Sequence, residues 1–151
     1  MTLFLLVTSF TLIGQTFSEL QKEFRFEKET EEKEISFPAY TNTLDIGFFL
    51  KSQIGKGELK VFIYDPNGKK EGGFHLEAIS KEEAKNKAST SNSNKGSNII
   101  SYTITEDEEF GSSGSMNKSI SKPIPGTWRV KIIATKLTGA LSIQLKQMVQ
   151  D

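Results

Sequence analysis

Apolar side chains in this chain recur at every second position in short runs. No stretch of about twelve residues shows the 3.6-residue apolar stripe of a helix. Leu44, Ile46, Phe48 and Leu50 alternate with Asp45, Gly47, Phe49 and Lys51. Leu59, Val61 and Ile63 alternate with Lys60, Phe62 and Tyr64. Trp128, Val130 and Ile132 alternate with Arg129, Lys131 and Ile133, and Leu141, Ile143 and Leu145 with Ser142, Gln144 and Lys146. Weaker runs surround Phe24, Phe26, Ile35, Phe37, Phe74, Leu76 and Ile120, and cover residues 99–104. Residues 81–87 read as one or two exposed helical turns at most. Because successive side chains of a strand point to opposite faces, this alternation predicts strands with one face in a core.

The punctuation between runs agrees. Asp65-Pro66-Asn67-Gly68 sets φ near −65° at the proline and lets the chain reverse at Asn-Gly. Gly55-Lys56-Gly57 and Leu137-Thr138-Gly139 read as hairpin loops. Pro123-Ile124-Pro125-Gly126 precedes the Trp128 run. The sum is an all-β fold, an antiparallel β-sandwich or jelly-roll-like domain of about eight or nine strands.

A chain of 151 residues is one domain's length. Residues 1–18 carry no charged side chain, and the apolar run 3–13 has the length of a signal-peptide h-region. Thr16 and Ser18 suit cleavage, with Gly14–Gln15 a second option. No Lys or Arg precedes the run; a buried first strand or helix is the alternative. The expectation is a signal peptide over 1–18 and a single sandwich over 19–151, secreted, periplasmic or on the cell surface, with no membrane span after signal removal.

Nineteen basic and nineteen acidic side chains give a net charge of zero. That points away from a nucleic-acid partner. The absence of cysteine removes disulfides, thiolate nucleophiles and thiolate metal sites. An exported chain without cysteine fits a bacterial envelope. Residues 81–97 and 106–119 are polar and read as long loop insertions.

The C-terminal half carries a resemblance. Val61-Phe62-Ile63-Tyr64-Asp65-Pro66-Asn67-Gly68 is followed far downstream by Pro125-Gly126-Thr127-Trp128-Arg129-Val130-Lys131-Ile132 and Thr138-Gly139-Ala140-Leu141-Ser142-Ile143. This order resembles the pre-peptidase C-terminal domains, small β-sandwiches of secreted bacterial proteins. The resemblance covers residues 44–145 and implies a jelly-roll-like accessory domain without catalysis of its own. The chain departs from that pattern in that its 151 residues read as a sandwich alone, with no enzyme domain expected among them.

Nothing in the residues points to catalysis. His75 is the single imidazole; it alternates with Phe74 and Leu76 and should face solvent. No G-x-S-x-G elbow is present, and the glutamates cluster in runs, as solvated faces do. A small secreted hydrolase is the least favoured reading. No cofactor is expected. Calcium is the single metal worth weighing, with Glu106, Asp107 and Glu108 as weak candidates.

The aromatics carry the sharpest binding hypothesis. If Leu59, Val61 and Ile63 face the core, Phe62 and Tyr64 face away, as does Phe49 when Phe48 is inward. A hairpin through Gly55–Gly57 would set Phe49 beside Phe62. Either the patch Phe49, Phe62, Tyr64 is an interaction surface, or the segment around Phe24 and Phe26 or a long loop covers it. Trp128 falls in the core phase. The expected function is a non-catalytic binding or accessory module of the bacterial envelope that contacts protein. The alternative is a carbohydrate-binding module using exposed aromatics.

Overall fold

The computed structural model describes residues 9–12, 15–78, 98–103 and 111–150. Their elements are β1 (Ser9–Leu12), β2 (Gln15–Ala39), β3 (Thr43–Tyr64), β4 (Lys70–Glu77), β5 (Asn98–Thr103), β6 (Gly111–Ser121) and β7 (Gly126–Gln150). All pairings are antiparallel, in the order β1-β2-β7-β3-β6-β5, with β4 also on β3. The all-β antiparallel class expected from the alternation is the one observed.

The strand count differs, for a physical reason. Seven strands are present among the described residues, not eight or nine. Gly55-Lys56-Gly57 and Leu137-Thr138-Gly139 are not hairpin loops; they lie inside β3 and β7, which run on through them. The β3–β7 ladder shifts register between Ile54 and Lys56 and again between Lys56 and Glu58. The β2–β7 ladder shifts at Glu27/Glu29 and Glu29/Glu31. Lys28 (φ 61°), Gly57 (φ 85°) and Lys136 (φ 48°) carry the reversed backbone at these places. A bulge inserts an extra residue and bends its strand. Three bulged strands side by side therefore crease the sheet. Gly57 is required there, since a Cβ would lie 2.4 Å from the Lys136 carbonyl oxygen.

The crease also rewrites the alternation. In β3 the buried positions pass from Ile46, Phe48, Leu50 and Ile54 to Leu59, Val61 and Ile63. In β7 they pass from Trp128, Val130, Ile132 and Ala134 to Leu137, Leu141, Ile143 and Leu145. In β2 Phe26 gives way to Ile35 and Phe37. Each strand changes parity once, so the same sheet face stays turned inward on both sides of the bend.

Folding at the crease makes the two layers. Layer one joins β1, β5 and β6 to the halves of β2, β7 and β3 around Phe26, Leu141 and Leu50. Layer two joins β4 to the other halves, around Ile35, Val130 and Val61. Phe48 of layer one meets Phe37 of layer two edge-on, with centroids 5.6 Å apart, and Trp128 at 6.2 Å. Gln147 of layer one donates its side-chain amide to the Pro38 carbonyl of layer two at 2.7 Å. Trp128 is 1% exposed, and its indole N–H donates to the Ile124 carbonyl at 2.9 Å.

The open flank at β2 is guarded. Among the described residues no strand pairs its far side beyond residue 18. Lys33 sits in the inward phase, opposite Ile132, with its ammonium 5.6 Å from the Phe24 ring and 5.3 Å from the Phe26 ring. Glu31 pairs with it. Inward charges on an edge strand discourage further strand addition.

Two expected loops fare differently. Residues 111–119 are not a loop; they form most of β6, paired with β3 and β5. Their small side chains are what the site demands: a Cβ on Gly114 would lie 2.8 Å from Leu76, and the Ser112 hydroxyl donates to the Glu77 carbonyl at 2.6 Å. Residues 81–97 and 106–110 lie outside the described residues. The Asp65–Gly68 turn forms as expected. Gly68 (φ 83°) donates its N–H to the Asp65 carbonyl at 3.0 Å, and the Asp65 carboxylate accepts the Lys69 N–H at 2.8 Å. Residues 15–18 pair with the end of β7 and with β1.

Candidate functional site: the two outer faces

The crease separates the predicted aromatic patch. Phe49 pairs with Gln144 and Asn117 in layer one, whereas Phe62 pairs with Lys131 and Gly73 in layer two. Because β3 runs through residues 55–57 without reversing, Phe49 and Phe62 are not cross-strand neighbours. All three side chains do face outward, between buried neighbours, but on the outer faces of opposite layers.

On the outer face of layer two, Phe62 and Tyr64 meet edge-on at 6.4 Å with planes 61° apart, so they form no coplanar platform. Lys70 holds its ammonium 4.1 Å from the Phe62 ring centroid, and the Arg129 guanidinium lies 5.9 Å from Tyr64. Beneath Phe62 lies Gly73, where a Cβ would fall 2.8 Å from the ring. Among the described residues, Lys70 and Gly73 pack on Phe62, while Phe24 and Phe26 belong to layer one. Most other charges on this face are paired. Lys60 and the His75 imidazole both reach Glu58, at 2.7 and 2.8 Å, and Lys131 reaches Glu32 at 2.7 Å. These contacts hold the Glu58 carboxyl below its ordinary value, through Lys60 first and His75 second. The Glu32 carboxylate raises the Lys131 ammonium above its own. His75 is exposed, as its alternation with buried Phe74 and Leu76 predicted.

The outer face of layer one is built differently. Its rows run Phe49–Gln144–Gln21, Lys51–Ser142–Glu23 and Gln53–Ala140–Arg25 across β3, β7 and β2. The middle strand carries small side chains in the last two rows, while both flanking strands carry long ones. That leaves a groove of about 240 Å³ along β7, walled by Lys51 and Gln53 on one side and Glu23 and Arg25 on the other. Ser52 fixes the floor by donating its hydroxyl to the Ala140 carbonyl at 2.8 Å. Among the described residues, the side chains of Glu23, Arg25, Lys51 and Gln53 make no hydrogen bond or ion pair. Phe49 stands one row beyond Lys51, 40% exposed, with the Lys146 ammonium 5.7 Å from its ring. Sequence reading missed the four groove residues. Their outward phase was legible, but which rows carried small residues on the middle strand depended on a register that no local pattern reveals.

Among the described residues no group of three or more His, Asp or Glu side chains is placed to hold a metal. The calcium candidates Glu106, Asp107 and Glu108 lie outside the described residues. Asp65 is 2% exposed and serves its turn. No described helix is long and apolar enough to cross a membrane.

No family model matches the chain, and no curated protein does. Among the solved structures similar to the chain, two share little sequence identity with it. One belongs to the disulfide-linked pili of Bacillus endospore appendages, at TM-score 0.30 and 9% identity, covering 87% of this chain and 88% of that one. The other is TmCBM61 in complex with β-1,4-galactotriose, at TM-score 0.29 and 12% identity, covering 96% and 70%.

Proposed function

We propose that this is an exported, non-catalytic accessory module of the bacterial envelope that contacts a protein through the outer face of layer two. The observation that carries the reading is the pair of cations seated on aromatic rings. Lys70 and Arg129 lie over Phe62 and Tyr64, and neither pairs with a carboxylate among the described residues. Arg and Tyr side by side at the end of this face, next to satisfied ion pairs, are residue types enriched in protein–protein contacts. The unpaired positive charge asks for an acidic partner surface and steers its approach. Export rests on the leader-like residues 1–18, the bacterial setting on the missing cysteines, and the accessory role on the resemblance to pre-peptidase C-terminal domains.

The test is a pull-down from envelope extract with the full chain, run beside a glycan array. The expected partner binds at low salt, is released as ionic strength rises, and is lost with Arg129→Glu. Equal capture by Arg129→Glu, or a glycan signal abolished by Tyr64→Ala, overturns the reading.

A further inference from the structure

We infer that the groove on the outer face of layer one is a second binding site, and that its ligand is a neutral oligosaccharide. The inference goes beyond the protein contact proposed for layer two and rests on other residues.

The groove concentrates unused hydrogen-bonding capacity. Glu23 offers acceptors, Arg25 and Lys51 donors, and Gln53 both, and none is engaged by another described side chain. These side chains mix both signs and a neutral amide. A phosphate or carboxylate ligand calls for cations alone. A metal calls for clustered carboxylates. An apolar ligand would strip water from four polar groups and return nothing. A ligand made of hydroxyls, each both donor and acceptor, satisfies the whole set without carrying charge.

The shape narrows the choice. The floor of the groove is paired strand, so its backbone groups are already engaged and a peptide cannot join by strand addition there. Its volume of about 240 Å³ lies below the roughly 300–1,000 Å³ of sites for drug-sized molecules. It suits a ring or two of a longer chain lying along β7. One row beyond the groove Phe49, 40% exposed, lays its ring over Gly47, where a Cβ would meet it at 3.0 Å, and a longer chain leaving the groove along β7 reaches that ring. The negative face of an aromatic ring attracts the weakly positive C–H edge of a pyranose. Polar walls for hydroxyls and one aromatic face for C–H groups are thus aligned in consecutive rows of one sheet.

The experiment is a titration of the full chain with neutral β-linked gluco-, galacto-, manno- and xylo-oligosaccharides and an α-linked gluco-oligosaccharide, followed by calorimetry and backbone NMR. The expected result is saturable binding to at least one of them, insensitive to added salt. It weakens about tenfold or more in Gln53→Ala and in Phe49→Ala, as the loss of one good contact should. It is unchanged in Arg129→Glu, which separates this site from the layer-two face. A single cooperative thermal transition in each groove variant shows that it folds. Saturable binding to none of the panel, binding indifferent to both groove substitutions, or binding lost in Arg129→Glu overturns the inference.

Discussion

The two outer faces share β2, β3 and β7, yet the polar side chains nearest the crease behave differently on each. On layer two, Glu58 serves Lys60 and His75, Glu32 serves Lys131, and Lys70 lies on Phe62. On layer one, Glu23, Arg25, Lys51 and Gln53 border a groove and engage nothing described. The first face is organised by its own contacts and offers a finished surface to a partner. The second holds its capacity open. The difference lies in side-chain size on β7, where Arg129, Lys131 and Ile133 fill one outer face and Ala140 and Ser142 leave the other hollow.

The largest expected effect erases the comparison altogether. Phe48→Ala removes the ring that ties the layers together and should cost about 3–5 kcal/mol, read by denaturant unfolding. Gly57→Ala attacks the crease. A side chain at φ 85°, its Cβ 2.4 Å from a carbonyl oxygen, should cost about 2–4 kcal/mol and lower Tm by several degrees. A next pair of substitutions sharpens the contrast between faces. Phe62→Ala should cost about 1–2 kcal/mol, since Lys70 and Gly73 both pack on that ring. Phe49→Ala should cost about 1 kcal/mol or less, because its ring is the more exposed and its lysine lies farther off, 5.7 Å against 4.1 Å. Equal costs would mean that layer two is no more self-contained than layer one.

The smallest effect is acid-dependent. Glu58 has its carboxyl held below its ordinary value near 4.5, so its contribution is present above that pH and fades as pH falls through the lower folded value. Glu58→Gln should therefore flatten the loss of stability with pH below about 4.5, by lowering neutral stability by that same small amount and leaving the acid value unchanged. The pair is partly exposed, which keeps the effect small. A wild-type slope retained in the variant breaks the claim that this face is organised by its ion pairs.

Much of the core was legible because alternation is a local signal. Leu59, Val61 and Ile63, and Trp128, Val130 and Ile132, are buried in the phase the sequence implies. The same logic turned Phe49, Phe62 and Tyr64 outward. It failed where glycine has two uses. Gly55-Lys56-Gly57 reads as a hairpin by composition, but a glycine that permits a reversed φ serves a bulge as well as a turn. Choosing between them needs the partner strand, roughly eighty residues away in sequence. Residues 111–119 failed for the converse reason: Ser and Gly are poor strand formers, and packing under Leu76 overrides that preference. The groove was invisible because it is a property of cross-strand rows.

β7 lies between β2 and β3 and is bonded to both along nearly its whole length, from Gly126 to Gln150. Gln15 pairs with Gln150, and Ala39 with Gly126. A ribosome that has delivered β1 through β6 has therefore delivered two unconnected flanks with nothing between them. Both layers wait for residues 126–150 and close together when these arrive. Such late, long-range closure is the slow end of two-state folding. Until then β2 has only β1 beside it, and neither layer is complete without β7.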